Sequence, residues 1–170
     1  MGHHEHKHHA KKHISCLVVT ISDTRTEETD TSGQHILKLL QQNGHAVMRK
    51  IIVPDEPADI RAVLQEGIHS DEIQAIICNG GTGISVRDRS YETIEQVLDK
   101  RLDGFGELFR MLSYQDIGSA AMMSRAVAGI AGNTVIFLTP GSKPAVGLAM
   151  ETLILPELGH ILWELEKHLE

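Results

Sequence analysis

A chain of 170 residues, 41% hydrophobic and 23% charged, is long enough to bury its own core in a single domain. Its formal charge of −7 argues against a general nucleic-acid binder, which needs a clustered basic face, but is compatible with a local basic pocket for a phosphorylated small molecule. No apolar run approaches the ~18–20 residues of a membrane span and no secretory signal is present, so a cytoplasmic protein without membrane contact is expected.

Residues 1–12 are rich in histidine and lack any hydrophobic period, so a disordered tail is expected there, with 13–170 forming one domain. The run from His13 to Ile21 is almost continuously apolar, as a strand buried on both faces reads. A polar loop, Ser22 to Gly33, follows, and Asp30 or Ser32 can cap a helix that carries Ile36, Leu37, Leu39 and Leu40 and stops at Asn43-Gly44. Ala46 to Val53 reads as a second strand and Pro57 to Ser70 as a helix. Ile73 to Cys78 is a third strand and Ser90 to Leu98 a helix. Gly104 to Ile130 reads as an apolar helical block, large enough to suggest subunit contacts. Thr134 to Leu138 is a β-branched strand, and helical segments over 145–155 and 156–169 close the chain. Cys16 and Cys78 each lie in a strand-like run and are expected to be buried free thiols.

Alternating strands and helices predict an α/β fold, a three-layer α/β/α domain with a mainly parallel central sheet. Ligands bind such sheets where loops leave the carboxyl ends of strands. Four polar loops meet that description: 22–32, 54–57, 80–88 and 139–143. Gly80-Gly81-Thr82-Gly83 either cradles a phosphate or makes a tight strand-to-helix turn; it lacks the Gly-Lys-Ser/Thr of a P-loop. Asp88 either caps the helix at Ser90 or holds a magnesium ion that accompanies a nucleotide, with Asp55 as a second carboxylate or an ordinary turn residue. Pro140-Gly141-Ser142 can present a hydroxyl and N–H groups to an anion, and Ser142 can equally cap the next helix. No Gly-x-Ser-x-Gly or base partner supports Ser142 as a nucleophile.

Together, Gly80-Gly81-Thr82-Gly83 with Arg87-Asp88 and Glu92, Gly104-Phe105-Gly106-Glu107, Ser124-Arg125-Ala126 and Pro140-Gly141-Ser142 resemble the MoaB/MogA family of molybdenum cofactor biosynthesis proteins. The similarity begins at Val18 and spans the chain apart from its His-rich start. Ser22-Asp23-Thr24-Arg25, Gly141-Ser142-Lys143 and Leu155-Pro156-Glu157-Leu158 look more like the MoaB branch. The resemblance implies adenylylation of molybdopterin by Mg-ATP, with release of pyrophosphate. It implies that Asp88 and Asp55 are the catalytic, magnesium-holding acids. It places Ser22, Asp23, Gly80, Gly81, Thr82, Gly83, Glu92, Pro140, Gly141 and Ser142 against nucleotide or molybdopterin. It also implies a homo-oligomer, trimer or hexamer, and other molybdenum cofactor biosynthesis proteins as partners. Where the family often reads Arg-Asp-Val-Thr-Pro-Glu, this chain has Arg87-Asp88-Arg89-Ser90-Tyr91-Glu92. That departure leaves open a molybdopterin-binding or carrier protein of the same fold that does not adenylylate.

Overall fold

The computed structural model describes residues 10–167. Its elements are β1 (Ser15–Ile21), α1 (Thr31–Gln42), β2 (Ala46–Val53), α2 (Pro57–Ile68), β3 (Ala75–Asn79), α3 (Ser90–Glu95), β4 (Lys100–Arg101) and α4 (Asp103–Ile117). A 3₁₀ turn (Gly118–Met123) leads to β5 (Val127–Ala131), β6 (Thr134–Thr139), α5 (Lys143–Ala149), a π turn (Met150–Ile154) and α6 (Leu155–Glu166). The strands form one six-stranded sheet in the order β2-β1-β3-β6-β5-β4. β2, β1, β3 and β6 run parallel, and β5 and β4 are added antiparallel at one edge.

Because side chains alternate along a strand, the two faces of the sheet bury different residues. Cys16, Val18, Ala75, Ile77, Val135 and Phe137 pack with α1, α4, α5 and α6 on one face. Leu17, Val19, Ile21, Ile76, Cys78, Ile136 and Leu138 pack with α2 and α3 on the other. The fold is therefore the expected α/β/α sandwich. Both thiols are buried and unpaired; burial pushes Cys16 up to about 12 and raises Cys78 further still.

Three elements differ from the sequence reading. The block 104–130 is not helical throughout: its last residues form β5, hairpinned to β6 through Gly132 at φ 57°. Val-Ala-Gly-Ile-Ala is too short an apolar run for periodicity to separate strand from helix. Gly129 marks the strand instead, since a Cβ there would sit 2.3 Å from the Lys100 carbonyl oxygen of the neighbouring β4. α3 stops at Glu95 because the chain turns to pair with β5, Asp99 N–H donating to Ile130 O at 2.7 Å. The two closing segments form one helix of 24 residues, 143–166. Proline lacks an N–H and its ring clashes with the carbonyl four residues back, and the wider π turn just before Pro156 accommodates both. This helix is long and apolar enough by composition to cross a membrane, but Val146, Ala149, Met150, Ile154, Leu158 and Leu162 are buried in the core.

Of the expected tail, residues 1–9 lie outside the described residues. Lys11 N–H donates to Gly159 O at 3.2 Å on α6.

Candidate functional site

The carboxyl ends of β1, β3 and β6 open onto a cleft of about 310 Å³. It lies where the strand order reverses: β1 connects outward to β2, whereas the chain leaving β3 continues to the opposite side of the sheet. Thr20, Ile21, Ser22, Arg25, Asp30 and Ser32 supply one wall; Asn79 to Gly83 and Asp88 supply the other, and Gly141 closes the end.

The glycine loop is shaped by contacts that exclude a side chain. Gly80 has φ 101°, and a Cβ there would lie 2.2 Å from the carbonyl oxygen of Ile21. Gly81 has φ 63°, and its Cβ would strike Asp55 Oδ2 and Ser90 Oγ. The loop carbonyls are all engaged by the protein. Ser90 Oγ donates to Gly80 O at 2.8 Å and Ser90 N–H to Gly81 O at 3.3 Å. Arg125 Nε donates to Thr82 O at 3.1 Å and Arg125 Nη2 to Gly83 O at 2.6 Å. The N–H groups of Gly81, Thr82, Gly83 and Ile84 have no hydrogen-bond partner among the described residues. A loop with its acceptors satisfied and successive donors free is an anion-binding surface.

The two candidate acids are placed differently. Asp88 borders the cleft beside Gly83, and its Oδ2 accepts from Ser85 N–H at 3.0 Å and Ser85 Oγ at 2.5 Å. It does not cap α3, whose N-cap is Arg89 without a side-chain bond. Asp55 is buried behind Gly81, 5% exposed, where its Oδ1 accepts from Arg89 N–H at 3.2 Å. Burial raises its pKa, the Arg89 N–H partly offsets this, and the Asp88 and Asp23 charges add to the rise. Asp55 borders a second depression of about 430 Å³ with Glu56, Pro57, Val86, Arg87 and Arg89, so the 54–57 loop opens there and not into the main cleft.

Ser22 borders the cleft, its Oγ accepting from Thr24 and Arg25 N–H at 3.2 Å each. Asp23 is turned to Arg87, which grips it through Nε at 2.7 Å and Nη2 at 3.0 Å. Those bonds, with one from Asp55 N–H, hold the Asp23 pKa down at about 2. Glu92 pairs with Arg125. Pro140 and Gly141 complete the turn after β6, and Gly141 packs so closely that its Cβ would be 3.1 Å from Gly80 Cα. Ser142 caps α5 by accepting from Ala145 N–H at 3.3 Å.

A family model described as "Probable molybdopterin binding domain" matches residues 17–160. The chain belongs to this family. Molybdenum cofactor biosynthesis protein B of Bacillus cereus is 52% identical over 164 residues, covering 96% of this chain and 97% of that protein. A crystal structure of a molybdenum cofactor biosynthesis protein B superposes with a TM-score of 0.90 at 52% identity, over 92% of this chain and 98% of that one. The tungsten cofactor synthesizing protein MoaB of Pyrococcus furiosus superposes with a TM-score of 0.82 at 36% identity, over 91% and 98% of the two chains.

In this member of the molybdopterin-binding-domain family the cleft floor is a buried polar network that sequence reasoning missed. Thr20 Oγ1 donates to Asp30 Oδ2 at 2.8 Å and accepts from Asn79 Nδ2 at 3.0 Å. Asp30 caps α1 through Gly33 N–H at 2.8 Å and pairs with Lys50 Nζ at 2.7 Å, both side chains nearly fully buried. Ser32 Oγ donates to Gly141 O at 2.6 Å, tying α1 to the last turn. The signal was a polar residue near the end of each of two otherwise apolar strands, Thr20 and Asn79. Arg125 stands in a sequence motif, Ser124-Arg125-Ala126, but its contact with the glycine loop needs the fold.

Among the described residues no group of three or more His, Cys, Asp or Glu forms a metal cage. The donor set instead suits a magnesium ion that arrives with phosphates and takes one or two carboxylates from the protein. Asp88 borders the cleft and its Oδ1 accepts no hydrogen bond among the described residues.

Proposed function

We propose that this protein works in molybdenum cofactor biosynthesis, binding molybdopterin and Mg-ATP and transferring the adenylyl group from one to the other. The observation that carries this reading is the glycine loop, whose carbonyls at 80–83 are held by Ser90 and Arg125 while its N–H groups at 81–84 are left for a ligand at the switch point of the sheet. Preorganised N–H donors suit phosphate oxygens whose charge shifts during transfer. In the reaction an oxygen of the molybdopterin phosphate bonds to the α-phosphorus of ATP. The bond from that phosphorus to the bridging oxygen breaks, and pyrophosphate leaves with the electron pair. No protein nucleophile is required; the chain binds, orients and neutralises charge.

Gly80 to Gly83 hold phosphate, with Thr82 in the same wall. Asp88, with Asp55 from behind Gly81, would hold the magnesium, which when bound supplies positive charge to the phosphates. Ser22 and Gly141 border the cleft on the molybdopterin side, with Pro140 and Ser142 flanking Gly141 in its turn. Asp23 and Glu92 act through the arginines they orient, Arg87 and Arg125. The outward face of α4 and the turn after it exposes Leu108, Met111, Tyr114, Ile117, Met122 and Met123, which supports a homo-oligomer such as a trimer or hexamer. Incubation with molybdopterin, magnesium and ATP yields adenylylated molybdopterin and pyrophosphate; no product above a heat-treated control, with an active family enzyme alongside, rejects the activity.

A second reading, molybdopterin binding without adenylylation, is favoured by one observation: Asp55 and Asp88 border different depressions. It predicts molybdopterin binding that is unaffected by Asp88→Ala, with no ATP turnover. Loss of complementation by Asp88→Ala in a folded protein rejects it.

A further inference from the structure

We propose that Arg125 is the positioning residue of the glycine loop: it fixes which edge of the loop's peptide units faces the cleft. The inference rests on the reading of the loop as a phosphate site and assigns the residue that makes it one. A trans peptide unit carries its C=O and N–H on opposite edges, so whatever binds the carbonyl fixes the direction of the next residue's N–H. Arg125 takes three such carbonyls: Thr82 O through Nε at 3.1 Å, and Gly83 O and Asp88 O through Nη2 at 2.6 and 3.1 Å. The N–H groups of Gly83, Ile84 and Arg89 are thereby turned away from Arg125. Arg89 N–H is indeed found on the far side, donating to Asp55 Oδ1 at 3.2 Å. Gly83 and Ile84 N–H are left as donors without a partner among the described residues.

The arginine is itself held. Glu92 pairs with Nη1, and the guanidinium carbon lies 5.3 Å from the centre of the Tyr91 ring. Arg125 lies in the segment between the 3₁₀ turn and β5, which starts at the same end of the sheet because Val127 pairs with Leu138, so the loop is braced by an element distant in sequence. A lysine cannot copy this: it is a point charge with three donors on one nitrogen, without the planar fork that spans separate carbonyls. Charge and geometry can therefore be separated experimentally.

Two readouts on the full chain test the proposal. Without any ligand, backbone amide NMR shifts and hydrogen exchange are compared between wild type, Arg125→Lys and Arg125→Ala. The amides of 81–88 are expected to move and exchange faster in both variants, while sheet amides and the melting temperature change little in Arg125→Lys. Unchanged loop amides in both variants overturn the proposal. Should neither variant fold, Glu92→Ala, at a half-exposed position, releases Nη1 and is expected to give a smaller shift of the same amides; no shift there overturns the proposal equally. The second readout is Mg-ATP binding by calorimetry. Losing hydrogen bonds from a charged donor is expected to weaken binding by roughly tenfold or more in Arg125→Lys as well as in Arg125→Ala, and added ethylguanidinium to restore it in Arg125→Ala alone. A lysine variant that binds as wild type shows that only charge matters and overturns the proposal. If wild type binds no Mg-ATP, the nucleotide reading fails, and the loop amides alone decide the role of Arg125.

Discussion

Replacing Gly80 by alanine tests whether the glycine loop is a constraint of geometry or an incidental turn. At φ 101° an L-residue meets the left-handed penalty, and its Cβ would lie 2.2 Å from Ile21 O, a strand carbonyl that cannot rotate aside as a side chain can. The backbone conformation costs about 1–2 kcal/mol. Ordinary contact needs ~3.5 Å, so β1 and the loop must part by more than about 1 Å, at roughly another 1–3 kcal/mol. A chain of this size loses about 2–4 °C in Tm per kcal/mol, so Gly80→Ala is expected to melt roughly 5–20 °C below wild type. Gly104→Ala is the control: it sits in the first turn of α4, a Cβ there meets nothing within 4 Å, and its φ is not positive. Removing glycine's flexibility from a helix should raise stability by about 0.5–1 kcal/mol. Thermal melts by circular dichroism read both. If Gly80→Ala melts within about 2 °C of wild type, a difference well below the sum of the two penalties, the steric reasoning is wrong.

Three further outcomes follow from the site. Asp55→Asn retains an acceptor for Arg89 N–H but removes a buried charge whose pKa is raised by burial and nearby acids; it should leave Tm unchanged or higher while abolishing the proposed adenylylation, and a large fall in Tm contradicts the assignment. Lys50→Met leaves Asp30 buried without its cation and should cost about 3–5 kcal/mol in urea unfolding, most of it recovered in the double variant with Asp30→Asn. For pH, the Asp23 carboxyl is depressed from its usual 3.8 to about 2, chiefly by the Arg87 hydrogen bonds. Its contribution is therefore present above pH 3.8 and lost as pH falls through 2. Acid unfolding of wild type and Asp23→Asn should converge across that window, and curves that stay parallel refute the linkage.

The sequence disclosed the central parallel sheet because β1, β3 and β6 are short apolar runs that end at polar loops, and the first helix between them opens on a clear cap, Asp30. It could not disclose β5, since Ala, Gly and Val at 127–131 satisfy a strand and a helix alike. The Pro156 break failed for a related reason: local rules for proline hold inside a regular α-helix, and the π turn before it is set by packing of Met150 and Ile154 on the sheet. In the site, the glycines and Asp88 were legible because loop chemistry is local. The partners were not: Arg125 is 42 residues from Gly83, and Asp55 is 34 from Arg89. The departure at Arg89-Ser90-Tyr91 looks different once placed. Ser90 ties down two loop carbonyls and Tyr91 faces Arg125, so these residues serve the loop that the family pattern marks.

Asp30 has a consequence for how this cleft can be altered. The same carboxylate starts α1, receives the Thr20 hydroxyl and anchors Lys50 from β2. The chemistry of the floor is thereby welded to the start of a helix and to a strand on its far side. Retuning the floor for another ligand would require changes at 20, 30, 50 and 79 in concert, with stability lost at the intermediate steps. Ligand preference in this scaffold is instead free to drift along the rim, at positions such as Arg25, whose side chain is tied among the described residues only to Thr29 O within its own loop.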